Sequence, residues 1–300
     1  MWVCFDFHFN TWRLRTEMEF RFNFSCDLEE KDGTNSTNTC SVEEKTEKLE
    51  DFQELFSSKL DNKILSQFHQ SSYKFCNVDI SCYKCEDIEQ WIVENNSAEE
   101  SVVKSAAASH SDLLPAVYEG GLTVWECGCD LAEFISGEGI DFRGKSVIEL
   151  GCGAGLPGIC AMKCGAEQVY FQDYNSEVIS YFTIPNVQLN ETTCQCRFFS
   201  GDWGEFQKYA RNRPDMRFDY ILTAETIYSS ENYPKLHSLL ETLLKADGQI
   251  FLAAKSNYYG VGGGTRLFED FITKEENFTY ESVKVMEANV PREIIKLERI

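Results

Sequence analysis

No stretch of this 300-residue chain approaches the roughly 20 consecutive apolar residues that a membrane-spanning helix needs. The opening MWVCFDFHFNTWRLR places Asp6, His8 and two arginines among its apolar residues. It lacks a basic start, an apolar run and a small-residue cleavage site, so no secretory leader is expected. Basic charge is also scarce: 28 Lys and Arg stand against 49 Asp and Glu, for a formal net charge of -21. That balance excludes DNA or RNA binding through a basic face and favours basic partners. Zinc-ligand spacing is missing. Cys82 and Cys85 form a lone CxxC, Cys76 is one further candidate, and no second pair follows at finger spacing. An odd count of 13 cysteines without a leader predicts free thiols in a reducing compartment, the cytoplasm with the nucleus open to it. No internal repeat is found.

The composition that remains is ordinary for a globular protein, 43% hydrophobic and 26% charged. The length suits one large domain with an extension. Residues 1–30 are aromatic-rich and irregular, and MEFRFNFSC makes Met18 a second candidate start. Residues 31–51 are Thr, Ser, Asn, Glu and Lys, which predicts a disordered linker. Apolar residues at helical spacing predict a helix within 49–68, and the alternation at 73–85 predicts a strand or hairpin. These pieces make up an N-terminal extension, 1–104. From 105 to 300 strands alternate with helices, the pattern of a parallel sheet covered on both faces. Helices are expected at 124–136, 156–164, 233–245 and in TRLFEDFITK, and another, broken near Pro185, in EVISYFTIPNVQLN. Strands are expected at 145–150, 167–172, 197–203, 217–225 and 249–255, followed by a closing pair, YESVKVME and EIIKLERI. The expectation is an α/β fold with seven strands, mostly parallel, ending in a hairpin.

VIELGCGAGLPGI, residues 147–159, carries the strongest chemical signal. A strand ends at Glu149, then Gly151, Gly153 and Gly155 lead into a helix. Glycines let a ligand touch the backbone, and a helix start offers unpaired N–H groups. Against a dinucleotide fingerprint, the last glycine falls one residue early and Leu156 follows it. A carboxylate two residues before the first glycine repels pyrophosphate and suits a cation. S-adenosylmethionine, with its sulfonium and ammonium, is such a cation. In YFQDYN, Gln172, Asp173 and Asn175 end the next strand, and Asp173 lies 22 residues past Gly151. That distance suits a ribose-binding acid assisted by Asn175, although a helix N-cap uses the same residue types. Ser200-Gly201-Asp202-Trp203 offers an acceptor for an adenine amino group and a ring to lie against it, or else a cap and a core tryptophan. Ala224, Glu225 and Tyr228 follow the fourth strand. Glu225 and Tyr228 are three apart, so one helical turn would bring them together facing the methyl donor.

Together these elements resemble a class I, Rossmann-like, seven-strand S-adenosylmethionine-dependent methyltransferase. Glu225-x-x-Tyr228 resembles the acid-x-x-Tyr motif of the members that modify lysine or histidine in proteins, with Glu where most carry Asp. Ser109–Leu113, Val117–Leu122 with Val124–Cys127, and the glycine-rich run Tyr258–Gly264 narrow the resemblance to the protein-histidine N-methyltransferase family. Its known target is a histidine of large-subunit ribosomal protein number three. The resemblance covers 105–300, and Phe20–Phe24 also resembles the family's opening. It implies S-adenosylmethionine as cofactor with no metal, a basic ribosomal protein as partner, cofactor contacts from Trp125 and Glu126, and catalytic roles for Glu225 and Tyr228. The chain departs from relatives in lacking a long basic insertion between the second and third strands. Two other readings use the same residues: a lysine acceptor, and a non-catalytic cofactor-binding assembly factor for the ribosome.

Overall fold

The computed structural model describes residues 51–95, 101–109, 113–114 and 117–300. The irregular segment 1–30, nearly all of the expected linker at 31–51, and His110-Ser111-Asp112 lie outside them. The helix expected across 49–68 does not form as such. Gln53–Leu55 is a strand, β1, and Asn62–Leu65 is a one-turn helix, α1, capped by Asp61, which accepts the N–H of Ile64 at 2.9 Å. The reason is tertiary. Phe52 stacks on Phe199 and Phe206 with ring centroids 6.0 and 5.6 Å away, and Glu54 takes two Arg197 nitrogens at 2.7 and 2.9 Å. Long-range pairing of this kind overrides a weak helical period.

The expected hairpin follows as β2 (Gln70–Phe75) and β3 (Val78–Tyr83), then α2 (Cys85–Asn95) and α3 (Val102–Ser109). A boundary at 104/105 therefore falls inside a helix. The main alternation then runs α4 (Glu126–Gly137), β4 (Ser146–Leu150), α5 (Leu156–Lys163), β5 (Gln168–Asp173), α6 (Ser176–Val178), a π-helical stretch (Ile179–Thr183) and α7 (Ile184–Leu189). It continues through β6 (Gln195–Ser200), α8 (Trp203–Ala210), β7 (Phe218–Ala224), α9 (Tyr233–Leu243), β8 (Leu244–Lys255), α10 (Thr265–Glu275), β9 (Phe278–Met286) and β10 (Arg292–Arg299). No break occurs at Pro185. The π stretch carries the chain into α7 with the proline in that helix's first turn, where a missing N–H is tolerated.

The large sheet has the order β1-β6-β5-β4-β7-β8-β10-β9. From β6 to β8 all neighbours are parallel, and β10 is antiparallel to both β8 and β9. This is the expected seven-strand sheet with one unexpected addition, since β1 pairs antiparallel to β6 and makes an eighth strand. Alternate residues of the central strand face different cores. Val147 packs with Leu131, Ile159 and Phe182, whereas Ile148 packs with Phe206, Leu240 and Phe268. The N-terminal hairpin is fastened to α7 and its end. The amide oxygens of Asn186 and Asn190 accept the N–H groups of Tyr83 and Ser81 at 2.9 and 3.0 Å. Chain order reverses at β4, which has β5 on one side and β7 on the other. A ligand crevice is expected at the carboxyl ends of strands around such a reversal. Among the described residues no helix is long and apolar enough to cross a membrane.

Candidate active site

A cleft of about 500 Å³ opens at that reversal, lined by the turns that follow β4, β5, β6 and β7. The volume lies within the range of roughly 300–1,000 Å³ usual for small-molecule sites. Its floor is the loop 151–154. Gly153 has φ 48°, and a Cβ there would stand 2.9 Å from the carbonyl oxygen of Gly121, so only glycine fits without a shift. The N–H of Gly153 donates to Asp173 Oδ2 at 2.9 Å, which joins the two strongest motifs into one structure. Gly151 also lines the cleft. Gly155 does not; it is the N-cap of α5.

Glu149 is buried beneath this loop, and its Oε2 accepts the N–H of Gly158 at 2.7 Å in the first turn of α5. Burial pushes its carboxyl well above the usual range, opposed by that N–H and reinforced by the charge of Asp173. Asp173 also accepts the N–H of Asn175 at 3.3 Å and lines the cleft. Asn175 does not reach the cleft as expected. Its amide oxygen accepts the N–H of Glu119 at 3.2 Å and its amide nitrogen donates to the carbonyl of Val117 at 2.7 Å, so it bolts the 117–119 segment to the end of β5. Gln172 does not line the cleft either. It accepts the indole N–H of Trp203 at 2.9 Å and donates to the carbonyls of Asp173 and Gly201, so it acts by holding Trp203.

Asp202 and Trp203 both line the cleft. Asp202 is also the cap of α8, accepting the N–H of Gly204 at 2.8 Å, and it pairs with Lys235 at 2.7 Å. Gly201 faces away from the cleft. It has φ 114°, and a Cβ would stand 2.7 Å from the Phe52 Cα, so its requirement for glycine comes from β1. Trp125 lines the cleft and donates from Nε1 to the carbonyl of Gly120 at 3.0 Å. Glu126 does not line it; half exposed, it turns toward Lys255, with oxygen and Nζ 3.4 Å apart.

Ala224, Glu225 and Tyr228 lie where β7 meets the cleft. The expected helical turn between Glu225 and Tyr228 is absent, because Glu225 adopts φ 59° and the residues after it are irregular. The two side chains take different partners. Glu225 Oε2 accepts the hydroxyl of Tyr258, and its buried Oε1 has Lys255 Nζ 3.7 Å away. Burial pushes the Tyr258 hydroxyl well above the usual range, and the Glu225 charge adds to the shift. Tyr228 instead donates its hydroxyl to Glu119. In the glycine-rich run, Gly260 and Val261 line the cleft, and a Cβ on Gly263 would overlap the backbone of Ile227 and Tyr228.

Glu119, Thr226 and Lys235 also line the cleft, and no sequence motif marks them as a group. Among the described lining residues six are acidic, Glu119, Glu149, Asp173, Asp202, Glu225 and Glu231, and one is a lysine, Lys235, which pairs with Asp202. Such a lining suits a cation and disfavours a polyphosphate. Among the described residues, no three His, Cys, Asp or Glu side chains are arranged to hold a metal ion.

A family model described as lysine methyltransferase matches residues 116–272. Among curated proteins, "Histidine protein methyltransferase 1" of Schizosaccharomyces pombe is 30% identical over 260 residues, 71% of this chain and 75% of that protein. "Histidine protein methyltransferase 1 homolog" of Bos taurus is 39% identical over 232 residues, 69% of this chain and 62% of the relative. The chain thus spans about three fifths of the length of the mammalian relatives it matches, 62% in each case. A solved structure, a putative SAM-dependent methyltransferase from Streptococcus mutans, aligns with a TM-score of 0.50 at 13% identity, covering 81% of this chain and 57% of that one. That likeness concerns the fold alone. With this fold and this match across the cleft, the chain belongs to the seven-strand protein methyltransferase family that includes the histidine protein methyltransferase 1 proteins.

Proposed function

We propose that this chain transfers the methyl group of S-adenosylmethionine to a histidine imidazole of a basic protein, large-subunit ribosomal protein number three. The observation that carries the reading is the sign of the cleft: carboxyl groups surround a glycine floor, with one ammonium among the described lining residues. S-adenosylmethionine is a cation with an adenosine body, and the residues present fit it. Asp173 would accept from the ribose hydroxyls, and Asp202 with Trp203 would bound the adenine. Glu149 and the loop at Gly151 and Gly153 would face the amino-acid end beside Trp125. When bound, the cofactor supplies an electrophilic methyl carbon on sulfur.

The chain's own work is then to bind, orient and exclude water, and proximity supplies much of the rate. An imidazole with a pKa near about 6.5 is mostly neutral at cellular pH and needs no strong base. Tyr228, half-buried in the cleft lining, would meet the ring, while Glu225 is held by Tyr258. The names of the two relatives favour histidine. The family description favours lysine, the second reading, which requires a site that strips a proton from an amine first. The net charge of -21 suits a basic protein partner in either case.

The test is incubation of the chain with radiolabelled S-adenosylmethionine and salt-extracted large-subunit ribosomal proteins, followed by amino-acid analysis of the labelled band. Methylhistidine in a single protein is the expected product. Methyllysine would replace this reading with the second one, and binding without label would leave a cofactor-binding assembly factor.

A further inference from the structure

Glu225 occupies the acid position of the motif, but its carboxylate is already committed. Its side chain is 8% exposed, one oxygen accepts from Tyr258, and the other faces Lys255. The acid that meets Tyr228 in the cleft lining is Glu119, 109 residues away in sequence. Both members of this pair are half-buried and line the cleft. Both are also held in place. Asn175 grips the backbone on either side of Tyr118, accepting from Glu119 and donating to Val117, and Trp125 donates to the neighbouring Gly120 carbonyl. Tyr228 packs edge-on against Tyr258 with centroids 6.4 Å apart. A carboxylate fixed by its backbone and pointed by a tyrosine is a preorganised acceptor.

We infer that Glu119, paired with Tyr228, is the group that accepts the substrate's ring N–H and so decides which imidazole nitrogen is methylated. This rests on the histidine reading above. The ring nitrogen without a proton forms a bond to the methyl carbon as the carbon–sulfur bond breaks. The bond's electron pair stays on sulfur, leaving neutral S-adenosylhomocysteine. The ring becomes a methylimidazolium, whose positive charge develops beside Glu119. The N–H proton then passes through that carboxylate to solvent. Glu225 is a positioning residue in this arrangement, acting through the Tyr258 ring on which Tyr228 rests.

The experiment uses the full chain, unmodified recombinant ribosomal protein number three and S-adenosylmethionine, with the two methylhistidine isomers separated after hydrolysis. The unaltered chain yields one isomer. Glu119→Gln is expected to lower kcat by about a hundredfold to a thousandfold, the range for loss of one charge-stabilising group, and to yield both isomers. S-adenosylhomocysteine affinity is expected to stay unchanged, and Glu119→Asp to restore the single isomer. A purely structural role would not change the isomer ratio. Unchanged kcat and a single isomer in Glu119→Gln overturn the inference while leaving the histidine reading intact. If that variant fails to bind S-adenosylhomocysteine, Tyr228→Phe carries the test: mixed isomers support the inference and a single isomer overturns it. Methyllysine from the unaltered chain overturns the parent reading and this inference with it.

Discussion

Glu149 Oε2 accepts the N–H of Gly158 at 2.7 Å, so a carboxyl at the end of one strand caps the helix that the glycine loop leads into. In the free protein, burial favours its neutral form over the ordinary value of 4.5. A cation arriving beside it favours the carboxylate. Binding of S-adenosylmethionine is therefore expected to release protons, and affinity is expected to rise with pH until Glu149 is ionised in the free protein. Calorimetry in buffers of different ionisation enthalpy measures this, and Glu149→Gln should abolish the Glu149 share of the release. The sign for stability is opposite. A raised carboxyl pKa contributes to folding below 4.5, and that contribution is lost as pH rises through the folded-state value. Unfolding of the ligand-free chain should therefore show Glu149→Gln gaining stability relative to the parent as pH rises.

Asp173 supports the loop and faces the ligand at the same time. Asp173→Ala removes the acceptor for Gly153 and for the ribose together. Cofactor affinity should fall by about tenfold to a hundredfold, as expected for hydrogen bonds to a charged group worth roughly 1.5–3 kcal/mol. Equilibrium dialysis with labelled S-adenosylhomocysteine measures it, and unchanged affinity would remove Asp173 from the cofactor site.

Gly153→Ala forces a side chain into a left-handed position facing the Gly121 carbonyl. The cost should be about 1–3 kcal/mol of stability, the usual size for such strain, with weaker cofactor binding. Urea unfolding of the two proteins side by side gives the number.

Phe52→Ala addresses the eighth strand. The ring sits against Phe199, Phe206 and Tyr209 on the far edge of the sheet, and it is half-buried. A loss of about 2–3 kcal/mol is expected, below the roughly 3–5 kcal/mol of fully buried aromatic truncations. The loss should appear in urea unfolding, and S-adenosylhomocysteine affinity should stay the same.

Much of this architecture is readable from local text, and the exceptions have physical causes. The alternation from β4 to β8 is visible because buried parallel strands are short apolar runs with helices between them. The positions of Glu149, Asp173 and Asp202 at strand ends follow from the same text. Gln172 sits beside Asp173 on one strand, where consecutive side chains point to opposite sides, and so it turns to Trp203. Gly201 is glycine because of Phe52, 149 residues earlier in sequence, and a three-residue strand leaves no periodic signal to reveal that partner. Glu225 is itself left-handed and the residues up to Tyr228 are irregular, where spacing suggested a turn of helix. The Glu119–Tyr228 pair spans 109 residues and needs the folded sheet to exist.

Titration calorimetry of the purified chain with S-adenosylmethionine, S-adenosylhomocysteine and NAD tests the central claim most directly, that the acidic glycine-floored cleft holds a sulfonium cofactor. The account predicts saturable one-to-one binding of the first two and none of the third. Uptake of NAD with no response to either adenosyl compound would contradict it.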